Sequence, residues 1–363
     1  MSLRAKVLTT LTVIILVLST VDCPLPRDRE TEYPPSNFIG GFSAPRKLAL
    51  AGDELFVLDS TNGIYKLDLT KIDLSSDSSI NSGYLIYNSD ESGDAQDFDI
   101  ENGLLYSILY RSDYYIMIYD LSNDTKNIFA IPDGLPAFNI DVAGDYIFFT
   151  GNMNMSLGVI KTDGTAGYAF DQTNDFFYSK ETLNPKDLFA TGGSGVKYIY
   201  VSAKGESDSG IDLYSFSDAT PDKIDPSPDC KRYPFTFSYF NQYLHCSTLN
   251  RVDVYDITTD NAAPKFVKEI AVGENIGIYK TLQYNDKIAA LYGYEITSIN
   301  AVAGEYGIVP YRSGVKIIAN PYATPVIEKN IAIKGWATDA VIYGNKLISA
   351  NQSKTNLTIS NLD

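Results

Sequence analysis

One stretch restricts the fold of this chain more than any other. Between Pro234 and Val272, four short runs follow one another: Pro-Phe-Thr-Phe-Ser-Tyr-Phe (234–240), Tyr-Leu-His-Cys-Ser-Thr-Leu (243–249), Val-Asp-Val-Tyr-Asp-Ile (252–257) and Lys-Phe-Val-Lys-Glu-Ile-Ala-Val (265–272). An Asn-Gln pair, Asn250 and the breaker cluster Thr-Thr-Asp-Asn-Ala-Ala-Pro (258–264) separate them. Alternating runs rich in aromatic and β-branched residues, bounded by turn formers, read as strands. Four in succession specify a four-stranded antiparallel meander.

The same unit can be placed seven times, with starts near Pro45, Ala95, Pro136, Pro185, Pro234, Lys280 and Ala337, at separations of 50, 41, 49, 49, 46 and 57 residues. That is the period of a propeller blade. The first unit reads Lys-Leu-Ala-Leu-Ala (47–51), Leu-Phe-Val-Leu (55–58), Ile-Tyr-Lys-Leu-Asp-Leu (64–69) and Tyr-Leu-Ile-Tyr (84–87). The third reads Asn-Ile-Asp-Val-Ala (139–143), Tyr-Ile-Phe-Phe (146–149), Leu-Gly-Val-Ile (157–160) and Gly-Tyr-Ala-Phe (167–170). Both turn between their first two runs on Ala-Gly-Asp. The sixth unit carries an insertion from Tyr294 to Ser313. The 27 Tyr and 17 Phe suit a chain built of strands.

The seventh unit supplies three runs, Asp-Ala-Val-Ile-Tyr (339–343), Lys-Leu-Ile-Ser-Ala (346–350) and Leu-Thr-Ile-Ser (357–360). Asn-Phe-Ile-Gly-Gly-Phe (37–42), ahead of the first unit, is the donor of its fourth strand. Such a closure leaves no long exposed edge. The expected fold is therefore all-β: a seven-bladed β-propeller over 37–363, with four-stranded antiparallel blades and the last blade closed by the N-terminal strand.

Val-Asp-Val-Tyr-Asp-Ile with Pro-Lys-Phe-Val-Lys-Glu-Ile (252–257 and 264–270) resembles the LVIVD-type repeat of bacterial and archaeal surface propellers. Asp-Val-Ala-Gly-Asp-Tyr-Ile (141–147) is similar to that family's preceding hairpin. The likeness extends over two blades, and other units lack the Asp-Pro-Pro-type turn. It implies an exported propeller and brings no catalytic segment.

The first 22 residues carry addressing features: Arg4 and Lys6 precede a 15-residue apolar run, Val7 to Val21. That run is short of the roughly 20 residues that span a bilayer, so a signal peptide is expected over 1–22. Cys23 follows where a lipoprotein signal presents its acylated cysteine, although Asp22 departs from the small residue favoured there. Lipidation at Cys23, plain secretion and an uncleaved anchor all stay open. Residues 23–36, with four Pro, read as an extended tether. With Cys23 lipidated, Cys230 and Cys246 are left as one disulfide or as two thiols.

A formal charge of −16 removes nucleic acid as a partner, because phosphate binding needs a basic footprint. It also disfavours adhesion to anionic bilayers, leaving a lipid anchor as the only membrane contact. No phosphate loop, dinucleotide fingerprint or Gly-x-Ser-x-Gly turn is present. His245, the one histidine, is either a packed residue or a lone ligand, and zinc sites want several such donors. The acidic run Asn88 to Asp94, with Asp97 and Asp99, reads as a solvated turn or as oxygen donors for Ca²⁺, without the EF-hand spacing.

One column gains meaning from the fold. The fourth residue of each unit's first strand is Lys47, Asp97, Asn139, Asp187, Thr236, Thr281 (or Lys280 in the other register) and Asp339. First strands lie nearest a propeller's axis, so these polar side chains should ring one mouth of the channel. Either they face channel water, or Lys47, Asp97, Asn139, Asp187 and Asp339 form a ligand site. In the second case Asp97, Asp187 and Asp339 offer oxygen donors to a cation, Ca²⁺ being the metal they suit. The expected function is an exported, monomeric cell-envelope propeller, a non-enzymatic module binding a protein, glycan or small ligand on one face. Phe176-Phe177-Tyr178 and Tyr292-Gly-Tyr294 are expected as aromatic loops on such a face. The alternative is a propeller hydrolase or lyase using the channel-mouth carboxylates, with or without Ca²⁺.

Overall fold

The second run of each unit is apolar on both faces, as in Glu54–Asp59, Leu104–Tyr110 and Tyr146–Thr150, so each sheet has to be covered on both sides. A ring of radially stacked sheets meets that demand. The computed structural model describes the chain from Ser36 to Asp363, apart from 132–134, 152–156, 163–175, 180–186, 193–194, 205–208, 218–220, 225–233, 259–260, 274–275 and 295–311. Seven antiparallel sheets carry four sequential strands each, the last with the N-terminal strand as its fourth. Their first strands are Pro45–Ala51, Asp94–Glu101, Asn139–Ala143, Leu188–Thr191, Thr236–Phe240, Ile276–Tyr284 and Ala337–Tyr343, here the inner strands of blades 1 to 7. Each inner strand contacts the inner strands on both sides, and that of blade 7 contacts that of blade 1, so the ring is closed.

Six of the inner hairpins turn through two residues. Positive φ at Gly52, Asn102, Gly144, Asn241, Asn285 and Gly344 starts each turn. Such turns twist with the strands they join, which is why Gly and Asn recur at this place.

Blade 5 has strands Thr236–Phe240, Tyr243–Ser247, Arg251–Asp256 and Lys265–Ala271, close to the four runs read from sequence. Blade 3 departs from expectation. Its outer strand is Phe176–Ser179, paired with Leu157–Lys161, and 167–170 lies outside the described residues. Phe176-Phe177-Tyr178 is therefore strand, and Tyr292-Gly-Tyr294 belongs to the strand Lys287–Tyr294. Neither is a loop. Backbone pairing uses both segments, and β-rich aromatic composition gives strand and exposed loop the same signature. The inner strand of blade 6 opens at Ile276 rather than Lys280.

Asn37–Gly40 lies antiparallel to Asn356–Asn361, with Phe38 opposite Thr358, and completes blade 7. Its outer edge is covered in turn. Ser78–Ser79, from the excursion between the last two strands of blade 1, runs parallel to it. Asn37 Nδ2 donates to Leu74 O at 3.1 Å, and the Phe38 amide donates to Asp77 Oδ1 at 3.1 Å. Blade 1 thus clasps the strand that closes blade 7, and the edge is shielded against foreign strands.

Among the described residues, each seam between neighbouring blades holds its own apolar cluster. Ile39, Leu48, Val57, Ile348 and Ile359 pack between blades 7 and 1, and Phe56, Tyr87, Phe98 and Leu105 between blades 1 and 2. The remaining five seams repeat the pattern. Cys246 is buried in the seam of blades 4 and 5, while Cys230 lies outside the described residues. No helix among the described residues is long and apolar enough to cross a membrane.

Deleting residues 37–42 removes Ile39 and Phe42, both buried in the seam between blades 7 and 1. Each is worth about 2–4 kcal/mol on truncation, against a total stability of about 5–15 kcal/mol for a typical domain. The truncated chain should melt far below the full propeller, and an unchanged melting temperature would contradict closure by this strand.

Candidate functional site

An inner strand pairs with the rest of its blade along one edge only. Its other edge presents amides and carbonyls that need partners when buried. Here side chains from the neighbouring blade supply them. Asp97 Oδ2 accepts from the Ile140 amide at 3.0 Å and Asp99 Oδ2 from the Val142 amide at 3.1 Å, joining blades 2 and 3. Asp141 accepts from the Ala190 amide at 2.6 Å, and Asp187 from the Phe237 amide at 2.8 Å. Thr236 Oγ1 donates to Tyr279 O at 2.6 Å, and Asp339 Oδ2 accepts from the Leu48 amide at 2.8 Å. Two ion pairs cross the remaining seams: Lys47 with Asp97 at 2.5 Å between blades 1 and 2, and Lys280 with Asp339 at 2.7 Å between blades 6 and 7. Every seam of the ring therefore carries a side-chain bridge near the axis.

The four members of the ion pairs share one local feature. Lys47, Asp97, Lys280 and Asp339 each follow a register shift on the inner strand, between Pro45 and Lys47, Ala95 and Asp97, Ile278 and Lys280, and Ala337 and Asp339. A bulge bends its strand and re-aims the side chains beside it. It also settles the register of blade 6: Lys280 takes the ring position, while Thr281 is buried at 1 % exposure.

These bridges surround a cavity of about 480 Å³ at the channel mouth. Lys47, Asp97, Asn139, Asp187, Thr236, Lys280 and Asp339 all line it, so the structure brings the sequence-derived column together. It adds residues that the column missed. Arg46, Asp99 and Asp141 contribute charge, and Phe189, Phe235, Phe237, Tyr239 and Tyr279 form an aromatic wall on blades 4 to 6. Phe189 stacks on Tyr239 with ring centroids 5.3 Å apart. A signal for Asp99 was present in sequence, since Asp97, Asp99 and Glu101 alternate at the strand period and meet the amides of Ile140, Val142 and Gly144. The aromatic wall had none, because Phe and Tyr fill cores and walls alike.

Asp97, Asp187 and Asp339 are not gathered as metal ligands. Among the described residues, no three His, Cys, Asp or Glu side chains form such a group. Asp97 gives one oxygen to Lys47 and the other to Ile140, and Asp339 divides its oxygens between Lys280 and Leu48. The acidic run at Asn88 is likewise occupied: Asn88 caps the single helical turn Ser89–Ser92, Glu91 answers as its capping box, and Glu91 pairs with Lys126. His245 is a packed residue. Its ring lies 4.0 Å from that of Phe240, its nitrogens face Ser238 O and the Tyr322 hydroxyl, and burial lowers its pKa to about 4.

Electrostatics divide the ring. Burial opposes the charge on Lys47, but the attraction and hydrogen bond of Asp97 outweigh it and hold the ammonium above its ordinary pKa. Burial, together with the neighbouring Asp99, pushes Asp141 well above the carboxylate range, against the help of the Ala190 and Val142 amides. Asp187 rises to about 7 because burial outweighs the help of the Phe237 amide and of Lys47. A second cavity, of about 550 Å³, opens between blades 1 and 2, where Lys66–Glu54 and Lys71–Asp68 already match its charges.

No family model matches the chain, and no curated protein does either. Solved structures share its fold. A chain of the mitotic checkpoint complex superposes with a TM-score of 0.62 at 11% identity, over 93% of this chain and 94% of that one. The extracellular domain of BT4673 from B. thetaiotaomicron gives 0.55 at 12% identity, over 91% of this chain. The match spans 40% of the BT4673 chain's length. YCF48 bound to D1 peptide gives 0.53 at 8% identity, over 92% and 97%. Identities this low speak for the propeller fold alone.

Asp97→Ala strands the Lys47 ammonium and the Ile140 amide together, and should cost about 3 kcal/mol. Lys47→Met combined with Asp97→Asn should cost less than the sum of its single changes in a double-mutant cycle, because the ion pair is removed as a unit. Strict additivity in denaturant titrations would deny the pair.

For Asp187 the sign is opposite to that of most carboxylates. The folded state keeps its proton to about pH 7, whereas the unfolded chain releases it near pH 4. Between those values the folded state holds the extra proton, so this group's contribution to stability falls as pH rises. Asp187→Asn, which mimics the protonated acid and still accepts from Phe237, should match wild type near pH 4 and exceed it above pH 7. Equal denaturant midpoints at high pH would show that Asp187 ionises there without strain.

Proposed function

We propose that this propeller is an exported, non-enzymatic binding module of the cell envelope, anchored by lipid on Cys23 or released, with its ligand seated in the channel-mouth cavity. One observation carries the reading: the charged groups of the cavity are spent on holding blades together, while the space between them has an aromatic wall. Concave sites lined by aromatics with a few placed polar groups suit ligand binding. Asp97 and Asp339 have both oxygens engaged, which leaves neither poised as a general acid or nucleophile. Among fold neighbours, one is an extracellular domain and another is bound to a peptide, which gives precedent for such a role on this fold and no more.

A propeller hydrolase or lyase remains the second reading, supported by Asp141, which burial and the neighbouring Asp99 hold well above the carboxylate range. Glycosidases place two carboxyls about 5–10 Å apart around the substrate, whereas Asp99 and Asp141 are engaged with the Val142 and Ala190 amides. Turnover abolished by Asp99→Asn would favour catalysis.

Tyr239 is 45% exposed on the cavity wall, so its truncation should leave the fold intact. In a thermal-shift screen of amines, amino acids and neutral and acidic sugars, at least one class should stabilise wild type and fail with Tyr239→Ala. Hits indifferent to Tyr239, or no hits, would refute the cavity as the site. Membrane partitioning that persists in Cys23→Ser would refute the lipid anchor.

A further inference from the structure

Taking the channel-mouth cavity as the binding site, we propose that its ligand is an organic cation, a protonated primary amine or a guanidinium, held between the Asp187 carboxyl and the aromatic wall of Phe189 and Tyr239. The charge balance of the lining points there first. Five aspartates, Asp97, Asp99, Asp141, Asp187 and Asp339, face three cations, Arg46, Lys47 and Lys280, leaving −5 + 3 = −2. Asp141, which burial and Asp99 hold well above the carboxylate range, lessens that excess without cancelling it. Lys47 and Lys280 are taken by Asp97 and Asp339, and Arg46 donates across its seam to the Gln96 carbonyl. Asp187 is left with the backbone amides of Phe237 and Leu188 and the more distant field of Lys47, and with no paired cation. A bound cation would relieve the excess.

The second pointer is independent of charge. Asp187 immediately precedes the inner strand that carries Phe189, and its amide partner Phe237 belongs to the strand that carries Tyr239. Phe189 and Tyr239 are stacked. A carboxylate beside aromatic faces is the environment that recognises alkylammonium and guanidinium groups, through charge on one side and the ring quadrupole on the other. A hard metal ion would want six to eight oxygens, which an aromatic wall does not offer. An anion would meet the uncompensated carboxylate. A volume of about 480 Å³ admits a side chain or a small molecule. A free polyamine and a Lys or Arg side chain presented by a peptide share this chemistry.

Isothermal titration of the folded chain decides, with three probes: cadaverine, N-acetyl-lysine methylamide, and the same compound with its ε-amine acetylated and neutral. One or both charged probes should bind and the neutral one should not, with affinity falling as salt screens the charge. Binding by cadaverine alone assigns a free amine, and binding by the lysine derivative assigns a peptide-borne one. Asp187→Asn, which keeps the Phe237 hydrogen bond, should weaken the charged probe about tenfold or more, and Tyr239→Leu about three- to tenfold. The proposal is overturned if the neutral probe binds as well as the charged ones, or if Asp187→Asn leaves affinity unchanged. It is equally overturned if no charged probe binds. In that event a neutral or anionic ligand whose binding needs Tyr239 preserves the cavity reading, whereas loss of all Tyr239-dependent binding removes both.

Discussion

The unpaired edge of the inner strands is the constraint on which the rest of this structure depends. A propeller brings its innermost strands together around an axis, and each leaves one row of amides and carbonyls without a sheet partner. A buried unsatisfied backbone group costs about as much as a lost hydrogen bond. The chain answers with short acids and hydroxyls on the adjoining blade, so that Asp97, Asp99, Asp141, Asp187 and Asp339 accept from amides of the next inner strand. The apolar clusters of the seams give the ring most of its cohesion, and the polar bridges fix the register in which neighbouring blades meet.

That solution concentrates carboxylates where they repel one another. Two are relieved by lysines, which bulges aim across the seams at Asp97 and Asp339. Asp141, buried beside Asp99, is held well above the carboxylate range. Asp187 has no paired cation either and rises to about 7. A residue held against its own ionic preference, in a cavity with an aromatic wall, is the usual mark of a site arranged for something other than stability.

Closure follows the same logic at the periphery. The outer edge of blade 7 would be a template for any extended chain, and Asn37–Gly40 fills it. The excursion of blade 1 then covers the new edge through Ser78–Ser79, and the Ile80 amide donates to Gly40 O. Sequence-distant ends of the ring are thereby joined twice, once by a strand and once by a clasp.

The sequence by itself determined the architecture. A period near 50 residues, runs of strand length and turn residues with tolerance for positive φ at Gly52, Gly144 and Gly344 are local properties, and they read correctly as blades. The polar column was legible for the same reason, because a fixed place in a repeat becomes a fixed place around an axis. Only the tertiary structure decided what that column does. Whether Asp97 meets a lysine or a metal depends on Lys47 and Ile140, which stand on other blades. That Lys280 rather than Thr281 joins the ring depends on a bulge that pairing with the second strand creates. Whether Phe176 belongs to a strand or a loop depended on Leu157–Lys161 being there to pair with it. Tyr239 lines a cavity because the ring folds Phe189 against it. Charge, hydrogen bonding and exposure at each of these places are set by neighbours distant in the chain, and a repeat encodes positions without naming the company they keep.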